Sequence, residues 1–190
     1  MMAFEFRELD LRDAYLIYNF HIEDKRGRFV KCFEEQAYKK AGISFSLSES
    51  FISISQKNVI RGLHFQTKNP QAKLVSVIQG RIFDVILDLR RDSVTFGEWR
   101  GVELSAEKAN ALYIPRGFAH GFASLADNSI VLYQCDGIYD AETDTGIRFD
   151  DDDIAVKWPI NLSQGIYSSR DLGLMSFEEF KINYKGLDIK

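Results

Sequence analysis

Three histidines, and the side chains spaced around them, are where this chain could do chemistry. His64 lies in RGLHFQ, between Arg61 and Gln66. An arginine and a histidine close together on one strand put a fixed cation beside a titratable base, which suits an anionic substrate with a proton to move. The residues by themselves equally allow a hydrogen-bonded core histidine. His21 sits in a strand-like N-terminal segment without an obvious partner, so a structural role is expected. Lys73 opens the apolar run KLVSVIQ, Tyr133 lies within IVLYQC, and Asp171 within SSRDLG. Taken singly, these read as a solvated charge, a core aromatic with its hydroxyl satisfied, and a turn or helix cap.

The third histidine, His120, sits in PRGFAHGF, where Pro115, Gly117 and His120 match the second half-motif of the cupin superfamily. Metal-binding cupins need His-x-His followed closely by Glu. Here the pattern is His64-x-Gln66, and no acid appears before Asp84; the charged residues that come next are Lys68 and Lys73. Divalent metals want imidazole and carboxylate ligands, and an ammonium beside them is repulsive. Chemistry without a metal or other cofactor is expected.

The elements that must position these groups are mostly strands. Alternation or apolar runs mark 51–55, 59–66, 73–79, 81–90, 97–105, 111–115, 119–126 and 129–139, with Gly80 turning one strand into the next. Phe83, Val85, Leu87 and Leu89 share one face. Helices are expected only near the ends: 34–41, with acids first, lysines last and Gly42 as stop signal, and a short one at 177–182. Closely spaced strands without intervening helices argue for a β-sandwich or jelly roll. With 190 residues, no repeat and no linker, one domain spanning 1–190 is expected.

Composition closes off other classes. Hydrophobic residues make up 45% of the chain, so disorder is excluded, and a formal charge of −4 with interspersed signs argues against nucleic acid or a membrane surface as partner. No apolar run approaches the ~20 residues that cross a bilayer, and the acidic start is unlike a secretory signal. Cys32 and Cys135 are too few for a disulfide framework. A cytoplasmic protein is expected.

Together, KNVIRGLHFQ (57–66), QAKLVSVIQGRIFDVILDLRRDSVTFGEW (71–99), GVELSAEKANALYIPRGFAHGF (101–122), the LY pair at 132–133, GIRFDDDDIAVKWP (146–159) and SSRD (168–171) resemble the dTDP-4-dehydrorhamnose 3,5-epimerase family over nearly the whole chain. The resemblance implies a mainly β, cupin-type jelly-roll sandwich with short N- and C-terminal helices. It also implies a homodimer in which the N-terminal segment, about residues 1–50, reaches into the partner's site. The substrate it implies is a nucleotide-linked 4-keto sugar of bacterial cell-surface polysaccharide synthesis. Carried over by motif, His64 is the base with Asp171 as its dyad partner, Lys73 the conserved lysine, and Tyr133 the acid on the opposite sugar face. Arg26, Arg61, Ser168 and Arg170 match positions near the diphosphate, and His120 an active-site histidine. Such a set is chemically coherent: a 4-ketone acidifies the C3 and C5 hydrogens, an oriented imidazole removes one, and a fixed ammonium stabilises the enolate oxygen.

Some positions depart from the family pattern. Glu49 and Phe51 stand where Gln-x-Asn is usual, Lys31 replaces an acid, and Ile138 replaces a tyrosine that stacks on the thymine. A β-branched aliphatic offers no stacking plane. These changes raise the expectation of a different carrier, GDP with a 4-keto-6-deoxy heptose or hexose, as an alternative to dTDP. Epimerisation at C3 or C5 alone and 3,4-ketoisomerisation use the same enolate chemistry. A non-catalytic sugar-binding cupin predicts the loss of at least one of the four catalytic residue types, and none is lost.

Overall fold

Alternating apolar and polar residues cannot satisfy two environments unless one side of each strand is covered, and here two sheets cover each other's inner faces. The computed structural model describes residues 3–189. Its first sheet has six strands in the order β1 (Glu5–Glu8), β2 (Tyr15–Tyr18), β10 (Asn110–Ile114), β7 (Ala72–Gln79), β12 (Ser129–Asp136) and β5 (Glu49–Ser55). The second runs β13 (Asp144–Gly146), β6 (Ile60–Gln66), β11 (Phe118–Ser124), β8 (Arg81–Asp88) and β9 (Trp99–Ser105). A separate hairpin joins β3 (Phe20–Asp24) to β4 (Gly27–Lys31). All the strand pairs are antiparallel. This is the expected mainly β sandwich of the cupin type.

The inner faces of the two sheets meet in a core built from Val75, Val77, Leu112, Ile114 and Val131 on one side and Ile82, Ile86, Phe118 and Phe122 on the other. Each such burial contributes roughly 1.5–3 kcal/mol. Phe83, Val85, Leu87 and Leu89 do share a face, and it is the outer one. They pack under α3 (Phe177–Tyr184), whose Phe177 and Phe180 close that side. On the first sheet, the outer face of β2, β10 and the start of β7 is covered by Tyr38 of α1 (Glu35–Lys40), with Ile43 and Phe45. Both helices exceed or fall short of their expected limits by only one or two residues, and α3 begins in a capping box between Ser176 and Glu179. A third helix, α2 (Ser169–Leu172), is a single turn too short for any periodicity to announce.

Strands β6 and β11 approach unusually closely. Gly62 has φ +122°, and Gly121 faces it, so that a methyl group on Gly121 would meet the Arg61 carbonyl oxygen at 2.6 Å and the Gly62 Cα at 3.0 Å. That contact matters because His120 and His64 are direct register partners on the same two strands. Gly121→Ala should force these strands apart. Overpacking costs of roughly 1–3 kcal/mol are expected, seen as a lowered thermal midpoint; an unchanged midpoint would show the strands are not so constrained.

Candidate active site

Toward one end of the sandwich the apolar core gives way to a cavity of about 690 Å³ between the sheets, within the range of small-molecule sites. The second sheet contributes His64 and His120, whose rings stand side by side because residues directly opposed in an antiparallel pair project from one face. Arg61, three residues before His64, would face away from it in an unbroken strand. The register shifts between His120 and Phe122, and Arg61, opposite Phe122, also lines the cavity. A uniform alternation does not anticipate that irregularity.

The first sheet supplies the facing wall. Lys73 on β7 and Cys135 on β12 are register partners, and Tyr133 lies two residues along the same face from Cys135. The Tyr133 ring meets His120 edge-on, with centroids 6.0 Å apart. Phe51, on the neighbouring strand β5, stacks on the other side of Tyr133 at 4.8 Å. The phenol and the imidazoles thus belong to different sheets and face the same space.

His64 is anchored from outside the sandwich. Its Nε2 lies 2.7 Å from Asp171 Oδ1, and the Ser168 hydroxyl donates to Asp171 Oδ2 at 2.5 Å. The Asp171 amide in turn donates to Ser168 Oγ, so the N-cap of α2 and the carboxylate hold each other. Burial by itself would push the Asp171 carboxyl up, but the hydrogen bonds from His64, Ser168 and the Gly62 amide together hold it below the usual carboxylate range. Ser168 therefore orients the dyad, and the neighbouring Arg170 pairs with Asp144 at 2.6 Å.

Electrostatics separates the remaining groups. Burial lowers the Lys73 ammonium below its ordinary value, with Cys135, Asp144 and Asp84 opposing the shift. No carboxylate of the described residues lies within ion-pair distance of it. Burial also pushes the Tyr133 phenol well above its usual range, so it keeps its proton. The Ser53 hydroxyl stands 3.5 Å from the Tyr133 hydroxyl. At the cavity rim, Glu49 accepts from Gln71 Nε2 at 3.2 Å and from the Tyr139 amide at 3.1 Å.

Two of the residues expected at the site lie elsewhere in this chain. Arg26 is at the tip of the β3–β4 hairpin, exposed, and pairs with Asp24 at 2.5 Å. A tight hairpin that belongs to neither large sheet carries its tip away from its own cavity. Ile138 is 74% exposed and does not line the cavity; Tyr139 does, donating its hydroxyl to Asp144. The extended chain turns consecutive side chains to opposite sides. Conversely, Asp144 and Asp84 belong to the site and carried no motif. Asp84 had one signal: a lone acid in RIFDVILD, on the face that carries Ile82 and Ile86 inward.

With this geometry in hand, comparison with known proteins is decisive. The family model described as dTDP-4-dehydrorhamnose 3,5-epimerase matches residues 8–179. The chain belongs to that family. An enzyme of that name from Methanothermobacter thermautotrophicus is 44% identical over 162 residues, 85% of this chain and 88% of the relative. Among solved structures, a 3,5-epimerase from Legionella pneumophila in complex with dTDP-4-keto-L-rhamnose is similar at a TM-score of 0.92, with 33% identity over 99% of this chain and all of that one. One from Bacillus anthracis, with TDP and PPi bound, has a TM-score of 0.88 and 39% identity, covering 92% of this chain and 99% of that one. Membership agrees with the sandwich architecture and with the long shared segments.

The dyad also has a pH signature. A carboxyl with a depressed folded-state pKa binds fewer protons folded than unfolded between its two values, so its stabilisation is present above the ordinary value of 3.8 and is lost as pH falls through the lowered one. Asp171→Asn should therefore be less stable than the parent near pH 6, with the gap closing as pH drops below 3.8. Urea unfolding across that range measures it, and a gap that stays constant would contradict the assignment.

Proposed function

We propose that this chain epimerises C3 and C5 of a dTDP-linked 4-keto-6-deoxy hexose through an enolate, as the names of its relatives indicate for them. The observation that carries the reading is the opposition of the His64–Asp171 dyad on one sheet to Tyr133 on the other, with the unpaired Lys73 ammonium beside them. His64 takes the proton from the carbon flanking the ketone, and Asp171 stabilises the imidazolium that results. The Lys73 ammonium stabilises the charge that develops on O4. Tyr133, kept protonated by its burial, returns a proton from the opposite face, which inverts the centre. Arg61 and Arg170 hold the diphosphate, and so fix the ring between base and acid.

The departures at Glu49, Phe51 and Ile138 raised GDP as an alternative carrier. No relative reported above supports it, and dTDP is the carrier adopted. Such a role fits the cytoplasm and the supply of deoxysugars for cell-surface polysaccharides. No helix among the described residues is long and apolar enough to cross a membrane.

His64→Asn should abolish exchange of the sugar's C3 and C5 hydrogens with deuterated solvent, while Tyr133→Phe should retain exchange and lose inversion by at least about 100-fold. Proton NMR of the substrate reads both. Full-rate inversion by the Tyr133 variant would remove it as the acid.

The same reading includes a homodimer. An isolated two-stranded hairpin is marginal in water, yet β3–β4 exposes Ile22 and Phe29, and the outer face of the first sheet exposes Ile52, Ile54 and Ile78. A second copy covers these surfaces and receives Arg26 beside its diphosphate. Arg26→Ala and His64→Ala proteins, each of low activity, should regain activity when mixed, because the mixed dimer has one site with both residues. Failure to complement, with a dimer confirmed by sedimentation, would place Arg26 outside the site.

A further inference from the structure

Tyr133 has a firm seat for its ring and a loose one for its hydroxyl. Ser53 Oγ stands 3.5 Å from that hydroxyl, beyond the roughly 2.5–3.0 Å of an ordinary O–H···O bond. What aims the phenol is therefore the packing of its ring. Within its own sheet the residue lies between two register partners, Val75 of β7 and Phe51 of β5. His120 meets it edge-on from the second sheet. Val75 and His120 are buried, so the core fixes those two sides. The third side is different. Strand β5 is an edge strand, and Phe51 is 50% exposed. Its ring lies 16° from parallel to that of Tyr133, with centroids 4.8 Å apart. Phe51 closes the side that the core leaves open.

We infer that Phe51 is a positioning residue for inversion: stacked on Tyr133 from the edge strand, it keeps the phenol aimed at the sugar, so that the enolate is protonated from the face opposite His64. The inference rests on the epimerase reading. Phenylalanine stands here in place of the usual asparagine, so the stack is a feature of this chain and not of the family pattern. An amide has no aromatic plane to offer the phenol.

When His64 removes the proton, the electron pair of the C–H bond passes into the enolate, and two donors then compete for the carbon. The His64 imidazolium can return a proton to the face that lost it. That restores the original configuration and, after exchange of the 26% exposed ring with water, leaves a solvent-derived hydrogen behind. Tyr133 can deliver its proton from the other face, which inverts the centre and leaves a phenolate that regains a proton from solvent. Each path depends on the placement of its donor, and a displacement of about 1 Å costs on the order of 100-fold. His64 has its own anchor in Asp171 at 2.7 Å. Tyr133 has the stack. A loosened Tyr133 ring therefore shifts the partition between the two paths and leaves proton removal as it was.

Phe51→Leu keeps an apolar side chain but removes the plane, whereas Phe51→Tyr keeps the plane. In deuterated solvent, proton NMR of the sugar reads hydrogen exchange and inversion at the same carbon. Phe51→Leu should invert about tenfold more slowly, the scale of one aromatic stack, while Phe51→Tyr restores inversion. Exchange and KM should each change less than about twofold in the leucine variant. Inversion at the parent rate, or exchange falling in parallel with inversion, would overturn the proposal. Phe51→Met repeats the comparison should the leucine variant not fold. NMR of tyrosine-labelled, unliganded protein tests the seat of the ring without the reaction. Tyr133 should be fixed in the parent and mobile in Phe51→Leu; an equally fixed ring in both would also overturn the proposal. Absence of inversion by the wild-type protein would instead strike the epimerase reading, and the substrate-free spectra would still decide the seat of Tyr133.

Discussion

A ligand held between His64 and Tyr133 is addressed on two faces, because the His64–Asp171 dyad and Tyr133 reach the one cavity from two different sheets. Stacked sheets pack roughly 10 Å apart, a gap that apolar side chains fill when they interdigitate. Val77, Leu112, Ile86 and Phe118 do so along most of the sandwich. Where His64 and Arg61 meet Lys73 and Tyr133, the filling stops and the gap remains open. The separation of His64 from Tyr133 is therefore set by the core next to them, and their alignment by strand register. The Gly62–Gly121 approach is what lets the two histidine strands lie flush at that point.

Within this frame the charges are unequal by design of their surroundings. Asp171 is satisfied by three donors, and Asp144 by Arg170 and the Tyr139 hydroxyl. Lys73 is left without an anionic partner although burial disfavours its charge. A cation held in that condition gains most from an anion that appears opposite it, which is the situation when a ketone becomes an enolate. A carboxylate paired to Lys73 would have stabilised the resting protein and weakened that differential.

The parts of this arrangement that were legible in the sequence are those with a period or a motif. The strand run read over 51–140, which the structure places at 49–136, the two longer helices and the dyad residues His64 and Asp171 fall in this class. Four features were not legible, each for a physical reason. The N-terminal strands β1 to β4 are only four or five residues long, and β1, β3 and β4 are mostly exposed, so their alternation carries little contrast. The single turn of α2 is fixed by Ser168 capping Asp171, a local bond that looks like any turn in sequence. Arg61 reaches the cavity through a register shift, which alternation cannot encode. Ile138 was assigned by motif, yet a motif records position along the chain and not the direction in which an extended residue points.

Strand β5 ties the rim of the cavity to Tyr133 more tightly than a separate subsite would. It is an edge strand of its sheet and pairs with β12 alone. On it, Glu49 holds Gln71 and Tyr139 at the rim, Phe51 stacks on Tyr133, and Ser53 stands beside the Tyr133 hydroxyl. Alternation forces these three side chains onto one face at two-residue spacing. A shift of β5 would move Phe51 and Ser53 with it, and so move two of the groups that surround Tyr133. Asparagine at position 51 would offer a hydrogen bond to a ligand where phenylalanine offers a plane to Tyr133. Phenylalanine thus gives Tyr133 a stacked partner, and it does so from an edge strand of the sheet that faces the histidine wall.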